Sequence, residues 1–305
     1  MNKAIIIAGP TASGKTSLAI DICKKFGGEV VSADSMQIYK GMDIATAKPT
    51  AQEMDGIVHH LIDIVDPSEP FSVSQFKSMA DTAIKDIVSR GKIPVIAGGT
   101  GLYIDSLINN TEFGEFSEDE NYRAELNRRA ELSGGQVLLD ELAGVDPECA
   151  ARLHANDIKR IIRGLEFYHC TGKTLTQNEK ESRVKKSEYE YLILGLFFED
   201  REKLYQRINL RVDKMLEAGL EQEARNALKV ADSPTAYQAI GYKELKPYFD
   251  GVITLEQAVE SLKKSTRNYA KRQLTWFRRY ENMVRLYVDK GDLQDAEQIV
   301  RSFLK

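Results

Sequence analysis

The stretch Gly9-Pro10-Thr11-Ala12-Ser13-Gly14-Lys15-Thr16 satisfies the pattern G-x-x-x-x-G-K-[ST] at every constrained position, and it directly follows an apolar run over residues 3–8. No other feature limits the fold as strongly. A strand must feed a tight glycine turn that opens into a helix, because only then do backbone N–H groups and the positive helix end converge on one anion. Residues 14–26 carry the helical spacing that completes this unit. Lys15 is placed to neutralise a terminal phosphate, and the Thr16 hydroxyl to ligate Mg2+. The bland alternative is a tight turn with no ligand, and the full motif in its full context argues against it.

The same strand–helix alternation continues. Residues 29–33, 60–65 and 93–97 read as short strands, and Ser72–Arg90 as a helix with apolar positions Val73, Phe76, Met79, Ala80, Ala83, Ile84 and Ile87, closed by Gly91. This predicts an α/β fold, a P-loop NTPase-like parallel sheet flanked by helices. After about residue 112 the pattern changes. Residues 117–170 read as all helix, with turn signals at Gly134-Gly135, Asp146-Pro147 and Asn156-Asp157, and Tyr189–Leu196 returns to strand. We therefore expect a core domain over 1–114 and 188–305, interrupted by a small all-helical insertion domain over 115–187. Further helices are expected at about 201–218, 219–231 and 254–279, then a strand at 283–288 and a last helix.

Composition narrows the partners. A net charge of −4 over 305 residues counts against a polyanionic partner, but local clustering decides such binding. Acids gather at Glu112, Glu115, Glu118, Asp119 and Glu120, and bases at Lys159-Arg160-Arg163, Arg183-Lys185-Lys186 and from Lys263 to Arg279. Room remains for a basic face. Three scattered cysteines, Cys23, Cys149 and Cys170, suit neither a disulfide frame nor a zinc site, and a reduced cytoplasm is the expected compartment. No apolar run approaches the roughly 20 residues that cross a bilayer. The first residues resemble a signal peptide only briefly before running into the phosphate loop, so they read as a strand.

A phosphate loop does not say which bond breaks. Where many P-loop enzymes end a strand on an acid that holds Mg2+, the fourth strand here closes with Gly98-Gly99-Thr100-Gly101. Asp66 is one substitute, although Asp66-Pro67 is also an ordinary turn. Asp34 lies at the C-terminal edge of the second strand, where open parallel sheets bind ligands, and a carboxylate there can take a proton from a nucleophile. Taken alone, Asp34 is equally a turn or cap residue.

A series of segments resembles the tRNA dimethylallyltransferases. They are Gly9–Thr16, Ser32–Tyr39 with Asp43–Pro49, His59–Asp63, Gly98–Tyr103, Arg207–Leu216, Ala239–Glu244 and Tyr269–Arg278, in order over nearly the whole chain. Ala45 departs from the family's usual glycine, which bears on that loop's conformation. The resemblance implies transfer of a dimethylallyl group from dimethylallyl diphosphate to the N6 amine of the adenosine 3′ of the anticodon. It further implies Asp34 as general base, Thr100 beside the acceptor amine, Arg211 on the diphosphate, and Lys15 and Thr16 on diphosphate and Mg2+. For tRNA contact it implies Asp34, Ser35, Met36, Gln37, Thr100, Arg123, Lys159, Arg160, Ile161, Ile162 and Arg163, and also Gln238, Ala239, Ile240, Gly241, Tyr242 and Lys243. The chemistry suits the residues independently: pyrophosphate departs as an anion, which a preorganised phosphate loop stabilises.

Other readings stay in view. A small-molecule kinase of similar fold would need an arginine-rich lid, which the helical insertion could imitate. A prenyltransferase acting on free adenylate would share the loop and the acid without a basic insertion. A non-catalytic RNA-binding ATPase would leave Asp34 and Thr100 idle. His59-His60 is expected to be structural, since neighbours on a strand face opposite ways and cannot easily share an ion. On the helix Lys263–Arg279 we expect aromatics inward and bases along RNA. The absence of heptads predicts a monomer; no obligate protein partner is expected, and the lack of a long apolar run predicts no membrane.

Overall fold

The computed structural model describes residues 2–111, 119–182, 187–229, 236 and 239–305. The chain divides into two compact units, Met1–Ile108 with Glu188–Lys305, and Asn109–Ser187. Among the described residues no helix is long and apolar enough to cross a membrane.

The larger unit begins β1 (Asn2–Ala8), α1 (Lys15–Phe26), β2 (Gly28–Ser32), α2 (Ala51–Met54), β3 (His59–His60), α3 (Val73–Ser89), β4 (Ile93–Gly98) and α4 (Gly101–Ile108). The smaller unit holds α5 (Glu120–Ser133), α6 (Gly135–Val145), α7 (Pro147–Ala150), α8 (Ile158–Thr171) and α9 (Leu175–Ser182). The larger unit resumes with β5 (Tyr189–Phe197), α10 (Arg201–Glu217), α11 (Leu220–Ala227), α12 (Tyr242–Phe249), α13 (Leu255–Phe277), β6 (Val284–Tyr287) and α14 (Ala296–Leu304).

The six strands form one sheet in the order β3-β2-β4-β1-β5-β6, with every pairing parallel. The run Ile5-Ile6-Ile7 explains how β1 comes to the middle. Side chains alternate across a strand, so a strand covered on both faces must be apolar at every position. Ala4, Ile6 and Ala8 join Phe76, Ile84, Ile87, Ile104 and Phe277 on one face. Ile5 and Ile7 join Leu18, Ala19, Ile22 and Val300 on the other. α1 therefore leaves β1 onto one face, while α4 leaves β4 onto the opposite face. Helices departing to opposite faces from adjacent strands open a crevice at their C-terminal ends, where such sheets take ligands. The site is set by this topology.

The expected strand at residues 60–65 is shorter than its apolar pattern suggests. Only His59 and His60 pair with β2, opposite Val30 and Val31. Leu61 and Asp63 then take left-handed φ values of 62° and 55°, which end the extension. Ile64 and Val65 donate their N–H groups to the Ile38 carbonyl instead, at 2.8 and 3.0 Å. The expected helix at 72–90 matches α3 closely, because Ser72 and Gln75 form a reciprocal cap. α2, α4 and α12 lie where no helix was predicted, and α9 extends the expected all-helical insertion beyond residue 170. Ala45 has a negative φ, so alanine sits there without backbone strain.

In the smaller unit the predicted turns fall at the breaks. Gly134 (φ 79°) separates α5 from α6, and Asp146 caps α7 by accepting from Cys149 N–H. Leu126, Leu138, Leu142, Ile161, Ile162 and Leu165 build its core. A Cβ on Gly164 would come within 2.8 Å of Leu142 Cδ1, so α6 and α8 approach closely because glycine stands there. The acids Glu112, Glu115 and Glu118, the bases Arg183, Lys185 and Lys186, and Gln238 lie outside the described residues.

Candidate active site

The phosphate loop departs from β1 at Ala8. Gly9 is required by close approach, since a Cβ there would lie 3.0 Å from both Leu196 Cβ and the Leu196 carbonyl oxygen. Gly14 caps α1 with φ 97°, a left-handed conformation that glycine adopts without steric cost. Ala12 also takes a positive φ of 62°, and the Arg207 guanidinium secures it by donating from Nε to the Ala12 carbonyl at 2.8 Å. The first amides of α1 have no intrahelical acceptor and are available to an anion. Ser13 Oγ is buried with no hydrogen-bond partner among the described residues, the state expected of a hydroxyl reserved for a ligand.

Lys15 Nζ folds back to donate to the Pro10 carbonyl at 2.7 Å. Removal from bulk water pushes its amine down to about 7; the Arg211 guanidinium pushes the same way, and Asp34 opposes both. Arg211, on α10, is likewise desolvated, with Asp34 and Glu53 as opposing charges. Two cations thus face one anion-binding loop with a single carboxylate in range of both. This arrangement waits for negative charge.

Asp34 follows β2. Its Oδ1 accepts from Met36 N–H at 2.9 Å, which fixes the turn after β2. Thr100 follows β4, and its hydroxyl accepts from Ser35 N–H at 3.0 Å, tying the second acceptor-side loop to the first. Gln37 donates to the Thr46 and Ala47 carbonyls and accepts from Ser32, so it orders the loop after β2. Asp66 is spent on its own turn, accepting from Ser68 N–H and Oγ at 2.9 and 2.6 Å. Lys15, Asp34, Thr100 and Arg211 therefore come together, and Asp66 Oδ1 is held in its own turn.

The long helix α13 carries residues to which we gave no site role from the sequence. The Tyr269 hydroxyl reaches the Thr100 and Gln273 side chains. Gln273 is 5% exposed, accepts from Thr11 N–H at 2.9 Å and donates to the Gly99 carbonyl at 3.0 Å. The Trp276 ring covers Gly101, where a Cβ would come within 2.3 Å of it, and its Nε1 donates to Asp105 at 3.0 Å. The legible signal was a glutamine on the inward stripe formed with Leu262, Ala270 and Phe277. Glu223 was missed too. Its carboxylate accepts from Asp43, Ile44 and Ala45 N–H and from the Tyr242 hydroxyl.

Several expected RNA contacts are corrected. Ile161 and Ile162 are 0% and 4% exposed, because they form the apolar face of α8. Ala239 and Tyr242 are buried at 3% and 0% exposure in the core of α10–α13, and Gly241 N–H is taken by Glu244. These side chains have no surface for RNA. Ile240 is partly buried on the same cluster. Arg123 is not among these corrections: it donates from Nη2 and Nε to Glu166 Oε2, at 2.9 and 3.1 Å, and its side chain stays 36% exposed. Lys159, Arg160, Arg163 and Lys243 are exposed. His60 holds the buried Glu29 at 2.7 Å, and His59 Nδ1 meets the Ile57 carbonyl at 2.9 Å, so neither pairs with the other around an ion. On α13, Lys263 pairs with Asp213, and Arg267 donates to Asn209.

Comparison with known proteins extends this geometry. The family model described as IPP transferase matches residues 37–280, and one described as isopentenyl transferase matches residues 2–66. The tRNA dimethylallyltransferase of Thermoanaerobacter sp. (strain X514) is 48% identical over 304 residues, covering 99% of this chain and 96% of the relative. That of Geobacillus kaustophilus is 50% identical over 297 residues, covering 97% and 92%. The crystal structure of a full-length tRNA isopentenylpyrophosphate transferase from Bacillus halodurans aligns with a TM-score of 0.73 at 43% identity, covering 99% and 96%. A eukaryotic dimethylallyltransferase acting on tRNA aligns at 0.84 and 33% identity, covering 99% of this chain and 78% of the other. With the phosphate loop, its two cations and the carboxylate already gathered at one crevice, these matches along the whole length make the chain a member of the IPP transferase family.

Proposed function

We propose that the chain transfers the dimethylallyl group of dimethylallyl diphosphate to the N6 amine of the adenosine 3′ of the anticodon in tRNA. The observation that carries this is the pairing of Lys15 and Arg211 at the phosphate loop with Asp34 and Thr100 at the neighbouring loops. The amine nitrogen attacks the allylic C1, and the C1–O bond breaks with its electron pair leaving on pyrophosphate. Lys15, Arg211 and the loop amides stabilise that leaving charge in a partly desolvated crevice, where such contacts are strongest. Asp34 takes the proton lost by the nitrogen, and Thr100 orients the amine. The products are N6-isopentenyladenosine in the tRNA and pyrophosphate.

The donor set suits an Mg2+ ion carried in on the diphosphate. Among the described residues no three His, Cys, Asp or Glu side chains converge on one point, so a dedicated protein cage is absent there. Mg2+ is commonly held by substrate phosphates and one or two protein oxygens, which the Thr16 hydroxyl can supply. Bound there, the ion would neutralise charge on the departing pyrophosphate. For the polynucleotide we propose the exposed Lys159, Arg160 and Arg163 in one unit and Lys243 with the Asp34–Gln37 loop in the other.

Incubation of the purified chain with labelled dimethylallyl diphosphate and Mg2+, with tRNA or AMP as acceptor, tests the assignment. Label in tRNA alone is the expected result. Label in AMP would make it an adenylate prenyltransferase, and phosphate release from ATP with no transfer would return it to the kinases and ATPases.

A further inference from the structure

The ladder between β1 and β4 ends at the pair Ala8 and Gly98. Beyond it the two strands diverge into the loops that carry the two halves of the reaction, the phosphate loop and the segment Gly99-Thr100. One side chain spans the gap. Gln273 accepts from Thr11 N–H at 2.9 Å and donates to the Gly99 carbonyl at 3.0 Å, so its amide stands where the next rung of the sheet would be. The fit is close, since a Cβ on Gly99 would come within 2.1 Å of Gln273 Nε2. At 5% exposure the amide has little water to exchange partners with, and the backbone donor and acceptor fix which way it points. One turn away, Tyr269 reaches both Gln273 and the Thr100 hydroxyl.

We infer that Gln273 is a positioning residue that couples the donor half-site to the acceptor half-site. This rests on the transferase reading above and adds a link that reading does not require. Anion binding orders the phosphate loop and with it the Thr11 N–H. The buried amide passes that order to Gly99, and so to Thr100, beside the acceptor amine. A second ligand meeting an already ordered link loses less conformational freedom, which makes the two binding events cooperative in both directions.

The test uses the full chain, inorganic pyrophosphate as the anion and an anticodon stem-loop RNA as the acceptor. The coupling factor is the ratio of RNA dissociation constants measured without and with saturating pyrophosphate. Gln273→Met keeps the approximate volume and removes both hydrogen bonds, and Gln273→Leu repeats the removal with a different shape. We expect the wild-type factor to exceed that of both variants by about 5-fold or more, the lower end of ordinary coupling. Repulsion between the two anions is common to all three proteins and cancels in the comparison. The variants should also lose kcat by at least about 10-fold while each KM stays within a few-fold. Equal coupling factors in wild type and variants would overturn the inference, as would a loss confined to KM. Failure of both variants to fold, read by circular dichroism, would make Gln273 a core residue only and overturn it as well. Transfer of label to tRNA by the wild-type chain checks the parent reading separately.

Discussion

Replacing Asp34 with asparagine separates proton transfer from positioning. The substitution keeps an oxygen to accept from Met36 N–H, now at 2.9 Å, so the turn after β2 should survive. What disappears is the proton acceptor and one negative charge. A positioned general base contributes about 100- to 10,000-fold in rate, or about 3 to 5.5 kcal/mol at 1.36 kcal/mol per decade. The lost charge has its own effect. Asp34 is the group that holds the Lys15 amine up against burial and Arg211, so its removal should drop Lys15 below about 7. Diphosphate affinity should then weaken more steeply as pH rises through neutrality. Extraction of the stacked adenine costs a few kcal/mol and is offset by contacts spread over the RNA, so tRNA affinity should change only a few-fold. Rapid-quench single-turnover rates at saturating substrates, with equilibrium RNA binding alongside, measure both parts. A rate within 10-fold of wild type, or RNA affinity lost in parallel with rate, would refute the assignment of Asp34 as base.

Because free Lys15 is depressed to about 7, binding a diphosphate should raise it again and take up a proton between pH 7 and 9; calorimetry in buffers of different ionisation enthalpy reads this, and uptake unchanged in Lys15→Met would refute it. Gly98→Ala would set a Cβ 2.1 Å from the Ala33 carbonyl oxygen, so β2 and β4 must part at a cost of about 1–3 kcal/mol or more in urea unfolding. Leu142→Ala, at 0% exposure in the smaller unit, should cost about 2–5 kcal/mol, seen as a lower urea midpoint. Replacing Lys159, Arg160 and Arg163 together with alanine should flatten the salt dependence of tRNA binding by roughly 0.7 to 0.9 in log–log slope per lost phosphate contact, and an unchanged slope would make that face merely solvated.

Much of this was open to reading from the residues. The phosphate loop announced a strand, a turn and a helix because its glycines and lysine have meaning only in that setting, and the structure sets them there. Continuous apolar strands announced a sheet covered on both faces. The shortfalls have physical causes. The strand at residues 60–65 failed because its apolar residues turn onto the Ile38 backbone, a partner far off in sequence. Ile161, Ile162 and Tyr242 sit inside segments expected from the resemblance to contact RNA, yet a helix has an inner face as well as an outer one, and theirs is the inner.

The sequence alone determined that residues 9–16 would form a glycine turn between a strand and a helix, that Asp34 would follow the second strand, and that a helical unit would interrupt the sheet. Each of those follows from local periodicity, turn chemistry or a contiguous motif. Only the tertiary structure decided that Gln273, Tyr269 and Trp276 of α13 would close over Thr11, Gly99, Thr100 and Gly101, more than 160 residues earlier in the chain. Only it showed that Lys15 and Arg211 would be removed from bulk water with Asp34 in range of both, which pushes the lysine amine down. Those facts depend on which helix packs across the ends of which strands, and contacts of that separation leave no periodic trace in the sequence.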